Sequence, residues 1–342
     1  MTGEEILKIT EPGKIFSGDP KTLKAEFNKL SMKWHPDMTK KETDHIFSHI
    51  RELYKLGEEM LKKGTWVTPG ILMLTDKKTK HKYQIRYSKC HNIDIGEMYY
   101  SRTTVTFMIL PDYKKLYDNA IKVMEKFKFA SDNMKKEAEK YLPNILKKFE
   151  TETHSILVMK KSPDLILLKD ALEYFKGNIG DKHVAWIQSS LHNLSCYLSW
   201  SKLTHNDISL DTYFISPEFH SGALLGGWWY SKKKGEKLVA VPKRTFNYIP
   251  PGILTSKIAN EQVDLELIRL TGRELLGDAT GVSLLRNKVA PESIINWMRC
   301  ASTTNSIDDY KHWGNVLTKA YGKRKFIEMK LDLNKFYERK DG

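Results

Sequence analysis

Apolar residues near the start of the chain recur at helical intervals in two neighbouring stretches. The recurring positions are Leu23, Phe27, Leu30 and Trp34 in the first stretch, and Ile46, Phe47, Ile50 and Tyr54 in the second. Intervals of three and four residues place each set on one face of a helix, and Thr43 or Asp44 can cap the second helix. We therefore predict two antiparallel helices that bury these faces against each other.

After residue 70 the pattern changes to short runs rich in β-branched and aromatic residues, which is typical of strands. Strands are predicted at residues 71–75, 82–88, 103–110 and 155–160, with two shorter ones at 213–216 and 223–225. Helices are predicted at residues 112–149 with a break at Pro143, at 165–176, at 183–200 and at 263–276. This order, in which strands come first along the chain and helices follow, predicts a multi-domain α+β fold.

The connection between the helical and the strand-rich patterns marks a domain boundary. Lys62, Lys63 and Gly64 end the helical pattern, and Pro69 and Gly70 follow in the connection. A chain of 342 residues also exceeds one average domain. We predict a helical unit at residues 1–64, a small strand-rich unit at 65–160 and a larger helical unit at 161–342.

His35, Pro36 and Asp37 stand between the two N-terminal helices. Because a residue before proline is pushed out of the helical region, His35 should end the first helix and leave the tripeptide exposed at the tip. Residues 1–64 thereby resemble the J-domain of the DnaJ co-chaperones, with residues 4–9 as its first helix. The resemblance implies that the tripeptide and the basic helix bind a DnaK-type heat-shock chaperone and stimulate its ATP hydrolysis. The basic residues of that helix are Lys21, Lys24, Lys29 and Lys33.

A second resemblance begins after the helix predicted at residues 183–200. Residues 203–231 look like the catalytic loop of the protein kinases and the strand pair that follows it. Kinases carry His-x-Asp in this loop, an Asn five residues after the Asp, and a metal-binding Asp after the second strand. His205 and Asp207 match the first part, but Thr212 occupies the Asn position. The metal-binding position falls at Gly226 or Gly227.

The kinase resemblance continues on both sides of this loop, with a further departure. Phe107 or Met108 stands where kinases carry the lysine that holds the ATP phosphates, and we assign Met108 to that position. Asp264 fits the buried aspartate that braces the catalytic loop. Phosphoryl transfer requires charge neutralisation that these replacements remove. We therefore expect a two-lobed kinase-like fold with impaired catalysis, no catalytic residues, no metal and no cofactor.

Together, a J-domain and a degenerate kinase-like domain resemble a group of proteins from large bacteriophages. This combination favours a co-chaperone or adaptor that recruits and stimulates a DnaK-type chaperone, while the kinase-like body binds an unknown client or acts as a scaffold. One alternative is an atypical kinase or nucleotidyl transferase that uses Asp207. Another is a basic nucleic-acid adaptor.

The net charge of +14 arises from 56 basic and 42 acidic residues that are interleaved along the chain. This distribution argues against nucleic acid as a partner and favours an acidic protein surface opposite the basic helix. Three separated cysteines and unclustered histidines indicate neither a disulfide framework nor a metal site. No apolar run approaches the ~20 residues that span a bilayer. We expect no membrane partner and a cytoplasmic location, which is the host cytoplasm for a bacteriophage protein.

Overall fold

The computed structural model describes residues 1–35, 43–64, 66–68, 70–323 and 325–337. Within these ranges, N-terminal helices precede several antiparallel sheets and a helical region. The α+β class predicted from the sequence is confirmed. No helix in the described ranges combines the length and the apolar character needed to cross a membrane.

The N-terminal helices pack around a hydrophobic core of their own. They are α1 (Gly3–Leu7), α2 (Leu23–Trp34) and α3 (Asp44–Lys63). Phe27 stacks on Tyr54 with ring centroids 4.2 Å apart, and His35 contacts the edge of Phe47 at 5.1 Å. These contacts show that α2 and α3 run antiparallel, as predicted. The buried core consists of Ile6, Ile9, Phe16, Leu23, Ile46, Ile50, Leu53 and Trp66.

Two antiparallel sheets follow these helices. The first contains β1 (Val67–Thr68), β2 (Ile71–Thr75) and β3 (Lys82–Arg86). The second contains, in spatial order, β4 (Lys89–Ile93), β5 (Gly96–Tyr100), β6 (Thr104–Ile109), β8 (Ser155–Lys160) and β7 (Asn144–Glu150). Along the chain, β6 and β7 are separated by α4 (Lys114–Met124) and α5 (Asp132–Ala138).

Strand β7 corrects part of the helix predicted at residues 112–149. Helices α4 and α5 lie in that range, but Asn144–Glu150 pairs with β8. A register shift between Ile145 and Lys147 breaks the period-two alternation by which a strand is recognised. The helix predicted at 165–176 also begins with a strand, β9 (Ile166–Leu167), before α6 (Leu168–Tyr174).

The long helix α7 (Asp181–Trp200) organises the rest of the chain, where it packs against α10 (Gln262–Leu275) and α13 (Ser306–Tyr321). Strand β11 pairs antiparallel with both β9 and β12, and β10 pairs with β13. These strands are β10 (Leu203–Thr204), β11 (Tyr213–Ser216), β12 (Ser221–Leu224) and β13 (Lys232–Lys233). The remaining helices are α8 (Lys243–Phe246), α9 (Pro251–Ser256), α11 (Val282–Arg286), α12 (Glu292–Arg299) and α14 (Asn334–Tyr337).

Hydrophobic clusters lie on both faces of the five-stranded sheet. One face shares a large buried cluster with α4, α7, α10, α12 and α13. The other face packs against β2 in a smaller cluster that contains Leu72, Leu74, Tyr99, Met108, Ile156 and Val158. Met60 of α3 packs against both this smaller cluster and the N-terminal core. The sheet therefore joins the N-terminal helices to the helical region.

A buried lysine lies at the junction between β8 and β9. Only 2% of the Lys161 surface is exposed. Its Nζ lies 2.9 Å from the carbonyl oxygen of Arg102, 3.1 Å from that of Ser162 and 2.7 Å from that of Leu165. The hydroxyl of Tyr337 lies 2.9 Å from the same Nζ. Helix α14 is thus attached to the junction between the sheet and the helical region.

Candidate functional site

The N-terminal helix pair presents a basic surface on α2 and just before it. The four lysines predicted to contact a partner all have exposed side chains, and they are Lys21, Lys24, Lys29 and Lys33. Lys33 also lies over the ring of Trp34, with its Nζ 5.7 Å from the ring centroid. Exposed charges of one sign attract an oppositely charged surface over about one Debye length, ~8 Å at physiological salt.

The end of α2 has the backbone geometry that the sequence predicts. His35 follows the last helical residue and is extended, with φ −64° and ψ 133°, as a residue before proline should be. The Thr43 hydroxyl donates a hydrogen bond to the carbonyl of Trp34 at 3.1 Å and so ties the end of α2 to the start of α3. Pro36 and Asp37 lie outside the described residues, so the exposure of the tripeptide stays a prediction.

The second candidate site is the loop between β10 and β11, whose backbone is hydrogen-bonded to Asp264 of α10. The backbone N–H groups of His205 and Asn206 donate to the two carboxylate oxygens of Asp264 at 2.8 and 2.7 Å. Burial raises the pKa of Asp264 to about 7, although the two donated hydrogen bonds act in the opposite direction. Asp264 therefore contacts the loop in the way predicted from the sequence.

His205 is fully buried and holds the loop against the segment after β12. Its Nε2 lies 3.0 Å from the carbonyl oxygen of Gly226, and its Nδ1 accepts from the N–H of Asp207 at 3.2 Å. A donor at Nε2 and an acceptor at Nδ1 define a neutral imidazole. Burial lowers the pKa of His205 to about 3, which agrees with that state. The ring acts as a structural link between the two segments.

Asp207 is half-buried at the edge of a cleft. Burial raises the pKa of its carboxyl well above the usual value. The guanidinium of Arg244 opposes this shift, while the nearby carboxylates of Asp94 and Asp211 add to it. With no cation bound, this environment favours the neutral form of the carboxyl.

Thr212, predicted at the position that Asn occupies in kinases, is directed into the loop. Its hydroxyl donates to the carbonyl oxygen of Asp207 at 2.7 Å and accepts from the N–H of Ser209 at 2.9 Å. These bonds use the hydroxyl for local structure. A cation in the cleft would have to compete with them.

Gly227, at the predicted metal position, cannot carry a side chain in this conformation without strain. Its φ is +78°, and a Cβ built on it would lie 2.5 Å from Cε1 of His205 and 2.8 Å from Oδ2 of Asp207. Gly226 precedes it and gives its carbonyl to His205. The close approach of Asp207 to the backbone therefore depends on the glycine.

Met108 does not lie in the cleft, and its assignment to the lysine position was wrong. Neighbouring residues on a strand face opposite sides of a sheet. Met108 is buried in the cluster between β2 and the outer face of the five-stranded sheet. Phe107 faces the cleft instead and contacts Trp229 edge-on, with ring centroids 4.8 Å apart. Of the two residues considered for the lysine position, the aromatic one is therefore the one that faces the cleft.

The cleft itself is small and carries charges of both signs. Its volume is about 160 Å³. Its charged lining residues are Asp94, Lys169, Asp207, Asp211 and Arg244. Lys169 is paired with Asp211 at 2.7 Å, and Arg244 is paired with Glu274. Both cations are already partly neutralised by carboxylates of the protein.

Four charged residues of the cleft were not identified from the sequence, namely Asp94, Lys169, Asp211 and Arg244. Asp94 lies in the turn between β4 and β5, two strands that the sequence pattern did not predict. Arg244 comes from α8 and contacts the loop through the carbonyl of Ile208 at 3.2 Å. Nothing in its local pattern indicates this contact.

In the described parts of the chain, no group of three or more His, Cys, Asp or Glu side chains is arranged to hold a metal ion. No protein-family model matches the sequence, and no curated protein matches it.

Proposed function

We propose that this protein is a J-domain co-chaperone that recruits a DnaK-type chaperone and stimulates its ATPase, with a kinase-like body that binds a client or acts as a scaffold. One observation carries the proposal. The connection between the antiparallel helices α2 and α3 contains His35, Pro36 and Asp37, and exposed lysines lie along the helix that leads to it.

The lysines favour an acidic surface on the chaperone as the binding partner. Opposite charges across an interface mainly increase the association rate and select the partner. We therefore expect Lys24 and Lys29 to act on the rate of association, and His35 to act on the stimulation that follows contact. The dependence of association on salt concentration measures the first effect.

We further propose that residues 65–337 have a two-lobed kinase-like fold. The order of elements supports it: a five-stranded antiparallel sheet with α4 between its third and fourth strands along the chain, then α7, the His205 loop, the β11–β12 pair and α10 with Asp264. The side chain of Asn119 on α4 donates to the carbonyls of Trp229 and Ser231 at 3.0 and 2.9 Å. This contact attaches α4 to the segment after β12.

The cleft residues do not fit a magnesium nucleotide. A volume of about 160 Å³ is well below the ~300–1,000 Å³ of typical small-molecule sites. Phe107 offers no charge to phosphate, Gly227 offers no ligand to a metal, and Asp94 adds negative charge from the hairpin turn. We therefore propose a pseudokinase body whose role is binding.

The test compares two histidine variants in a chaperone ATPase assay. His35→Gln should abolish stimulation of the DnaK-type chaperone while leaving the unfolding transition unchanged. His45→Gln is the matched control, because His45 is an exposed residue of α3 in the same helix pair. Full stimulation by the His35 variant, or equal loss in both variants, would refute the co-chaperone proposal.

An atypical kinase or nucleotidyl transferase is the second candidate, because Asp207 borders a cavity. A thermal-shift experiment with ATP and magnesium or manganese separates the two. A ligand at 100 times its Kd stabilises a protein by about 2.7 kcal/mol. A shift of that size that disappears in Asp207→Asn would favour the enzyme, whereas no shift at millimolar nucleotide would favour the pseudokinase.

A further inference from the structure

A second cavity, separate from the cleft, is surrounded by lysines. It lies between the later part of α4, the end of α7 and the β10–β13 pair, and its volume is about 460 Å³. The lysines that line it are Lys122, Lys126, Lys128, Lys202, Lys232 and Lys233. Trp229 and Tyr230 line the cleft, whereas the next residue, Ser231, lines this second cavity.

Among the described residues, the ammonium groups around this cavity have no acidic partners. In the described part of the chain, none of the six forms an ion pair, whereas the neighbouring Lys234 is paired with Glu261. Glu236 is the single carboxylate among the described lining residues, so six lysines and one glutamate leave a net charge of +5. Like charges gathered around one cavity repel each other unless an anion is present.

We propose that this cavity binds a compact ligand that carries several phosphate groups. Its volume of about 460 Å³ falls within the ~300–1,000 Å³ of small-molecule sites. Lysine binds phosphate as a point charge, and a phosphate monoester carries about −1.5 to −2 at neutral pH. About three such groups would balance the excess positive charge. The inference goes beyond the proposed function, since it involves neither the chaperone contact nor the cleft.

A compact polyphosphate fits the cavity better than a nucleic acid does. No aromatic side chain is among the described lining residues, so a base would have nothing to stack on. The lysines also surround one cavity, whereas a nucleic-acid backbone is followed by a stripe of basic residues. Phosphate clusters, with no base, are the chemistry that this site recognises.

The test measures binding of inorganic tripolyphosphate to the full chain by calorimetry at about 0.15 M salt. Lys126→Gln combined with Lys233→Gln removes one ammonium from each side of the cavity and should weaken binding about tenfold. Lys182→Gln combined with Lys319→Gln is the matched control. It removes the same charge from exposed positions on α7 and α13 that do not line the cavity.

Three outcomes would overturn the proposal. Tripolyphosphate could fail to bind the wild-type chain, or the control pair could weaken binding as much as the cavity pair does. A single-stranded RNA oligonucleotide could also bind more tightly than tripolyphosphate with the same dependence on Lys126 and Lys233, which would assign the lysines to nucleic acid. Selective loss in the cavity pair, with RNA the weaker ligand, would support the proposal.

Discussion

Replacing Gly227 by alanine tests whether the predicted metal position is sterically closed. Gly227 has φ +78°, and a Cβ there would lie 2.5 Å from the ring of His205. Gly235 is a matched control because its φ is +89° but nothing lies within 4 Å of its Cβ position. The two substitutions therefore share the backbone strain and differ in crowding.

The expected magnitudes follow from these two contributions. A residue other than glycine in the left-handed region loses roughly 1–2 kcal/mol, and both variants should show that loss. Forcing an extra carbon into a packed site adds typically about 1–3 kcal/mol, and this addition applies to Gly227→Ala alone. The free energy of unfolding should thus fall by about 2–5 kcal/mol for Gly227→Ala and by about 1–2 kcal/mol for Gly235→Ala.

Urea unfolding followed by tryptophan fluorescence measures both values. The informative variant is then Gly227→Asp, which places a carboxylate at the predicted metal position, next to Asp207. We expect it to be at least as unstable as Gly227→Ala and to gain no binding of magnesium ATP, because like charges would be brought together in a partly buried site. Equal losses for Gly227→Ala and Gly235→Ala, or nucleotide binding by Gly227→Asp, would refute the reasoning.

Three further substitutions test the buried polar groups. The folded-state pKa of Asp264, about 7, lies above its unfolded value of 3.8. The stability that Asp264 contributes is therefore complete below pH 3.8 and is lost as the pH rises through 7. In urea unfolding, the loss of unfolding free energy in Asp264→Asn should be larger at pH 5 than at pH 8. Asp309 accepts two hydrogen bonds from buried Arg269 at 2.7 and 2.8 Å, so Asp309→Ala should lower the unfolding free energy by about 3–5 kcal/mol, and a loss below 1 kcal/mol would contradict this. Lys161→Met should destabilise by about 2–4 kcal/mol in the same assay, while Lys160→Met, at the exposed neighbour, should leave the midpoint nearly unchanged.

Local patterns predicted those features that local interactions determine. The faces of α2 and α3 follow from residues three and four apart, and the extended backbone at His35 follows from the next residue being proline. Strand β7 was missed because its register shift hides the alternation. The choice between Phe107 and Met108 failed because a shift of one residue along a strand reverses the face.

The cleft depends on contacts that no local pattern contains. Asp94 and Arg244 line the same cleft as Asp207 but come from a hairpin turn and from α8, which are far apart in the chain. The spacing of His205, Asp207 and Asp264 in the sequence was enough to single them out as candidate site residues. Only the packed structure shows that Phe107 lines the cleft and that a side chain at Gly227 would be crowded. Steric access and charge balance are properties of the assembled elements.

The buried ammonium of Lys161 has a mechanical consequence. The oxygens around it come from the turn before β6, the connection after β8 and the last helix of the described chain. A hinge movement at this point would pull those oxygens apart and break the hydrogen bonds that tie the three segments to Lys161, which is unfavourable in a closed interior. We expect the sheet and the helical region to move as one rigid unit. Ligand binding to one of them would then affect the other by a change other than opening and closing of the two halves.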